Sequence, residues 1–151
     1  MARFFRIVQT RWIDTALSEE GARRYGGRWN KPGTPAVYLA ESRALAVLEI
    51  LVHAPREALR LDWTVIQVEI DDADVETKEI TSLPENWSEM PSSQSARAFG
   101  DFWIVNSGRL ALKVPSAVIP EESALVVNPA HSKWAQLKPI DVKPFRLDGR
   151  L

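Results

Sequence analysis

The sequence predicts a single α+β domain, residues 1–151, in which a mostly antiparallel sheet carries a few short helices. Three observations point that way. Runs with strand character outnumber runs with helical character, and the first 45 residues mix both. The chain shows no internal repeat, low-complexity tail or linker. At 151 residues and 45% hydrophobic content, it is long enough to bury one sizeable core.

The elements follow in order. "RFFRIVQ" (3–9) is apolar and β-prone, a first strand. "DTALSEEGARRYGG" (14–27) holds short helical stretches, broken at Gly21 and ended by Gly26 and Gly27. "AVYLAE" (36–41) reads as a buried strand. Ser42 can cap a helix running to Val52 or His53, and Pro55 stops it. "DWTVIQVEI" (62–70) alternates as a strand. "MPSSQSARAFGDFWIVNS" (90–107) is a loop leading into a helix, with Gly100 and Asp101 inside it. Strands are expected at 109–116, 123–129 and 142–147.

Composition excludes several classes. Net charge is -1, so no global field draws the chain to nucleic acid or an anionic membrane, and direct nucleic-acid binding is a poor reading. The absence of cysteine removes disulfides and thiolate metal sites and suits a reducing cytosol. With His53 and His131 as the only histidines, no metal site is expected. The N-terminus lacks the apolar run of a signal peptide, and no segment approaches the length of a membrane span. The expected location is the cytoplasm.

Chemistry concentrates in two places. In "ALAVLEILV" (44–52), Glu49 is the only polar side chain, and a helix apolar all round is a buried helix. A buried carboxylate is costly alone, so Glu49 must be paired, protonated or facing a cavity. It is either half of a structural salt bridge to an arginine or a carboxylate aimed at developing positive charge. In "GGRWNKPG" (26–33), Arg28 follows two glycines beside free backbone N–H groups, a setting that suits a diphosphate. The stretch is neither GxGxxG nor a P-loop. Trp29 and Tyr38 could each stack on a planar heterocycle or sit in the core. Ser116 could engage a buried carboxylate or satisfy backbone groups at a strand end. Asn128, before Pro129, is a turn residue or an amide contact. His53 lies four residues after Glu49, but without a third ligand the pair is no metal site; it reads as a helix C-terminal group favoured by the dipole.

Taken together and in this order, "GGRWNKPGTPAVYLAESRALAVLEILVH", "GDFWIVNS" and "LKVPSAVIPEESALVVNPAH" resemble the RES domain, named for Arg, Glu and Ser. The resemblance implies an ADP-ribosyltransferase-like fold and the toxin of a bacterial toxin–antitoxin pair. Such toxins consume NAD, as substrate rather than cofactor, by hydrolysis or phosphorolysis of the nicotinamide–ribose bond; some modify a protein with ADP-ribose instead. It implies a hetero-oligomer with an antitoxin carrying an Xre-like helix-turn-helix region. By motif, the catalytic set is Arg28, Glu49 and Ser116, with Tyr38 in the "VYLAES" segment and Arg6 on the first strand; Trp29 and Asn128 complete the expected NAD contacts. Ser123 and Ala124 depart from the Asn and Tyr that many relatives carry there. A non-catalytic nucleotide-binding module is the remaining alternative.

Overall fold

The computed structural model describes residues 1–151. Seven strands form one sheet in the order β4-β5-β6-β2-β1-β3-β7. They are β1 (Ala2–Gln9), β2 (Val37–Ala40), β3 (Trp63–Ile70), β4 (Val75–Thr77), β5 (Ala111–Pro115), β6 (Ser123–Val127) and β7 (Asp141–Phe145). Every pairing is antiparallel except β4 with β5. The helices are α1 (Glu20–Tyr25), α2 (Arg43–His53), α3 (Gln94–Asn106) and α4 (Ser132–Gln136). The expected α+β class, mostly antiparallel sheet and all six expected strands are present. None of the helices is long and apolar enough to cross a membrane.

The sheet is weakest at its middle. β1 faces β3 along all 8 of its residues, yet faces β2 at a single pair, Phe5 and Ala40. The two halves, β4-β5-β6-β2 and β1-β3-β7, therefore diverge along a seam. The chain crosses that seam between β1 and β2, β2 and β3, β3 and β4, and again between β6 and β7.

Strand alternation explains how the layers pack. Phe4, Leu39, Ile66, Val68 and Leu125 fill one face of the sheet. On the other, Phe5, Ile7 and Val65 meet Leu45, Ala46 and Ile50 of α2, while Leu112, Val114 and Val126 meet Ala96, Trp103 and Ile104 of α3. α2 begins where expected. The Ser42 hydroxyl accepts from the Leu45 N–H at 3.0 Å, and the extended Ala54 before Pro55 ends the helix.

Three expectations change. Residues 10–15 form a 3-10 turn, and only Glu20–Tyr25 of the 14–27 segment is α-helical. β4 and α4, of 3 and 5 residues, are too short to show a period in sequence. α2 is not enclosed on all sides: the sheet covers Leu45, Ala46 and Ile50, whereas Val52 is 53% exposed. An all-apolar helix here has one covered face and one uncovered face.

Candidate active site

The loop from Gly26 to Pro35 sorts its side chains by role. Asn30 is fully buried and works as a staple: its amide nitrogen donates to the carbonyls of Ala22 and Thr34, both at 2.8 Å, and its Oδ1 accepts from the Tyr38 hydroxyl. That hydroxyl in turn accepts from the Trp29 N–H at 3.2 Å. Burial pushes the Tyr38 phenol well above its ordinary range. Gly27 leaves room for the Tyr38 ring, because a Cβ there would lie 2.7 Å from the hydroxyl oxygen.

α3 clamps the same loop from 70 residues downstream in three ways. Arg97 Nε donates to the Gly27 carbonyl at 3.1 Å. The Asp101 carboxylate accepts from the Lys31 N–H at 3.0 Å. Gly100 lets the helix backbone lie on Trp29, whose carbonyl oxygen would sit 1.7 Å from an added Cβ. This accounts for the Gly-Asp pair inside the helix. Trp103 is buried and its indole N–H donates to Glu76, while Phe102 points outward at 71% exposure.

What remains of the loop for chemistry is Arg28. It is half-buried and has no carboxylate partner. Nη1 donates to the carbonyls of Trp87 and Glu89 at 3.0 and 2.8 Å, and Nη2 contacts Met90 Sδ at 2.8 Å. Burial lowers its pKa, and the nearby charge of Glu49 opposes that shift. Arg28 and Glu49 are thus within electrostatic reach without forming an ion pair.

Glu49 is held from elsewhere. The Ser116 hydroxyl, 1% exposed, donates to Glu49 Oε1 at 3.3 Å. The Ser116 Oγ itself accepts from the N–H groups of Val118 and Ile119, fixing the turn after β5. On the other side, His53 Nε2 stands 3.6 Å from Glu49 Oε2. The Glu49 side chain is 38% exposed, so the carboxylate is not sealed in apolar surroundings but opens to solvent at the sheet-facing edge of α2. The salt bridge to arginine that would have made it purely structural does not exist.

Arg6 lies in the seam. Its Nη1 crosses from β1 to the Tyr38 carbonyl on β2 at 2.8 Å. Its Nε is buried without a partner, no acid neutralises it, and burial lowers its pKa. A guanidinium whose Nε is buried and which lacks a counter-ion suits an anion arriving from outside.

Two of the expected contacts are engaged within the protein. Trp29 is 2% exposed, stacked on Trp87 with centroids 6.2 Å apart and edge-on to Phe99 at 5.9 Å. Its faces are filled by the core and have none left for a ligand. Asn128 sits at the far end of β6 from Ser123, where it holds a turn by accepting from the Ala130 N–H and donating to the Ile104 carbonyl. Tyr38 keeps a half-buried ring, with its hydroxyl committed to the loop. Sequence reasoning missed Trp87, Arg97 and the backbone of 87–90, which act through contacts between segments far apart in the chain. No group of three or more His, Asp or Glu side chains is placed to hold a metal ion.

A family model matches nearly the whole chain: the RES domain model covers residues 3–148. The chain belongs to the RES domain family. Among RES proteins it is 34% identical over 151 residues to Toxin Res of Photorhabdus laumondii, covering 97% of this chain and 95% of that one. It is 36% identical over 138 residues to the Prs ADP-ribosylating toxin of Sphingobium sp., covering 89% of this chain and 86% of the relative. A third relative, the NAD(+) phosphorylase MbcT of Mycobacterium tuberculosis, is 58% identical over 36 residues, covering 23% of this chain and 19% of that one. The crystal structure of the M. tuberculosis MbcT–MbcA toxin–antitoxin complex has the same fold, with a TM-score of 0.75 at 22% identity over 96% of this chain and 84% of the other.

Proposed function

We propose that this RES protein is the toxin of a bacterial toxin–antitoxin pair and degrades NAD by breaking the bond between nicotinamide and ribose C1. The observation that carries the reading is Glu49, a carboxylate oriented by Ser116, open to solvent, and near but not joined to Arg28. The names of the relatives support NAD as the substrate.

Cleavage of a ribosyl bond passes through an oxocarbenium-like transition state. As the C1–N bond breaks, nicotinamide leaves as a neutral ring with the electron pair, and positive charge gathers on the ribose. A carboxylate already fixed beside that ribose stabilises the charge without reorganising. Glu49 takes this role, and Ser116 keeps it in place. Arg28 exchanges its neutral carbonyl partners for the diphosphate, and Arg6 adds an uncompensated cation in the seam. Water or phosphate then forms the new C1–O bond and gives up a proton.

Glu49→Gln keeps the shape and removes the charge. Nicotinamide release from NAD by the folded variant should fall on the order of 10²–10³-fold. Turnover close to the parent protein would take Glu49 out of the mechanism.

The partner in this reading is an antitoxin with an Xre-like helix-turn-helix region, as the MbcT–MbcA complex supports for the general arrangement, and the setting is the cytoplasm. Transfer of ADP-ribose to a protein is the second reading, favoured by the name of the Sphingobium relative. Incubation with labelled NAD, with and without lysate, separates the two: free ADP-ribose or its phosphate marks degradation, and labelled protein marks transfer.

A further inference from the structure

We propose that His53 is a positioning residue for Glu49, holding the second carboxylate oxygen as Ser116 holds the first. The inference rests on the NAD-cleaving reading above and extends it to a residue outside the Arg–Glu–Ser set.

The pattern of polarity along α2 is the first argument. Between Ala44 and Ala54 the sequence offers two polar side chains, Glu49 and His53, and they are the two that face each other. The exposed imidazole takes the Glu49 face one turn on, as an i,i+4 pair does.

Geometry is the second. Ser116 Oγ reaches Oε1 at 3.3 Å and His53 Nε2 stands 3.6 Å from Oε2. The hydroxyl contact alone leaves the carboxylate able to swing about its χ3 torsion, which is broad for a terminal sp² group. A second contact on the other oxygen removes that freedom and fixes the plane presented to the ribose. At that distance the imidazole is a polar neighbour that limits the turn of the carboxylate rather than a strong hydrogen-bond donor. Placement in the last turn also sets the imidazole where a helix favours positive character.

Third, nothing else occupies His53. Its side chain is 64% exposed and meets the Glu49 carboxylate. Replacing it leaves no buried group stranded, so the variants fold.

The test measures nicotinamide release by the parent protein, His53→Ala and His53→Gln, with thermal unfolding as a control. The expected result is a drop in kcat of about tenfold for His53→Ala, KM unchanged, and recovery of most of the loss in His53→Gln, whose amide can reach the same oxygen. Unchanged kcat in His53→Ala overturns the proposal. So does a rise in KM alone, or a glutamine variant no better than alanine. A parent protein that releases no nicotinamide overturns the NAD-cleaving reading, and this inference falls with it.

Discussion

Arg28 illustrates how a residue's type and its surroundings divide the work of prediction. Its guanidinium announces a capacity for anion binding, and the two preceding glycines announce a turn; both are legible from the sequence. Its hold on the carbonyls of Trp87 and Glu89 is not, because that segment lies about 60 residues away and offers only backbone. The consequence can be measured. Arg28→Ala should raise KM for NAD about ten- to a hundredfold, the scale of lost charge-assisted hydrogen bonds, with a smaller effect on kcat. An unchanged KM would leave Arg28 as a fastener of the 87–90 segment alone. Trp29 and Asn128 show the opposite case. An aromatic ring and an amide each suit a ligand or an interior, and only the fold reveals that the core took the first and a turn the second.

Among the elements, α2 was the most readable and the most instructive. Its cap at Ser42, its end before Pro55 and its single acid all follow from local rules, and the structure keeps each of them. Complete burial did not follow, since an apolar side chain reports a preference and not whether a neighbour arrives to meet it. α3 was placed correctly as a helix after a loop, yet its purpose lay in contacts with a loop far upstream. Gly100 is the measurable part of that purpose. Gly100→Ala drives a methyl group into the Trp29 carbonyl, and neither backbone can yield without moving the Arg28 loop. The variant should lose about 3 kcal/mol or more in denaturant unfolding, at the upper end of overpacking penalties. A loss below about 1 kcal/mol would mean that α3 slides freely on the loop.

For the molecule as a whole, the seam between β1 and β2 organises both architecture and site. Sequence reading supplied six of the seven strands and the mostly antiparallel character, but strand order depends on pairings between distant segments that no local pattern encodes. A single shared pair, Phe5 with Ala40, leaves Arg6 to tie the halves through one hydrogen bond. Adding ADP-ribose should therefore slow amide exchange in β1 and β2 beside the seam while leaving the β3–β7 pairing unchanged. Uniform protection across the sheet, or none, would put the ligand elsewhere. The weaving of the chain across this divide also bears on synthesis. The half that holds Ser116 needs β6, complete only at Val127, and the other half needs β7, complete only at Phe145. A ribosome must have passed Phe145 before both halves can close, so on the NAD-cleaving reading chains terminated ahead of that strand should release no nicotinamide.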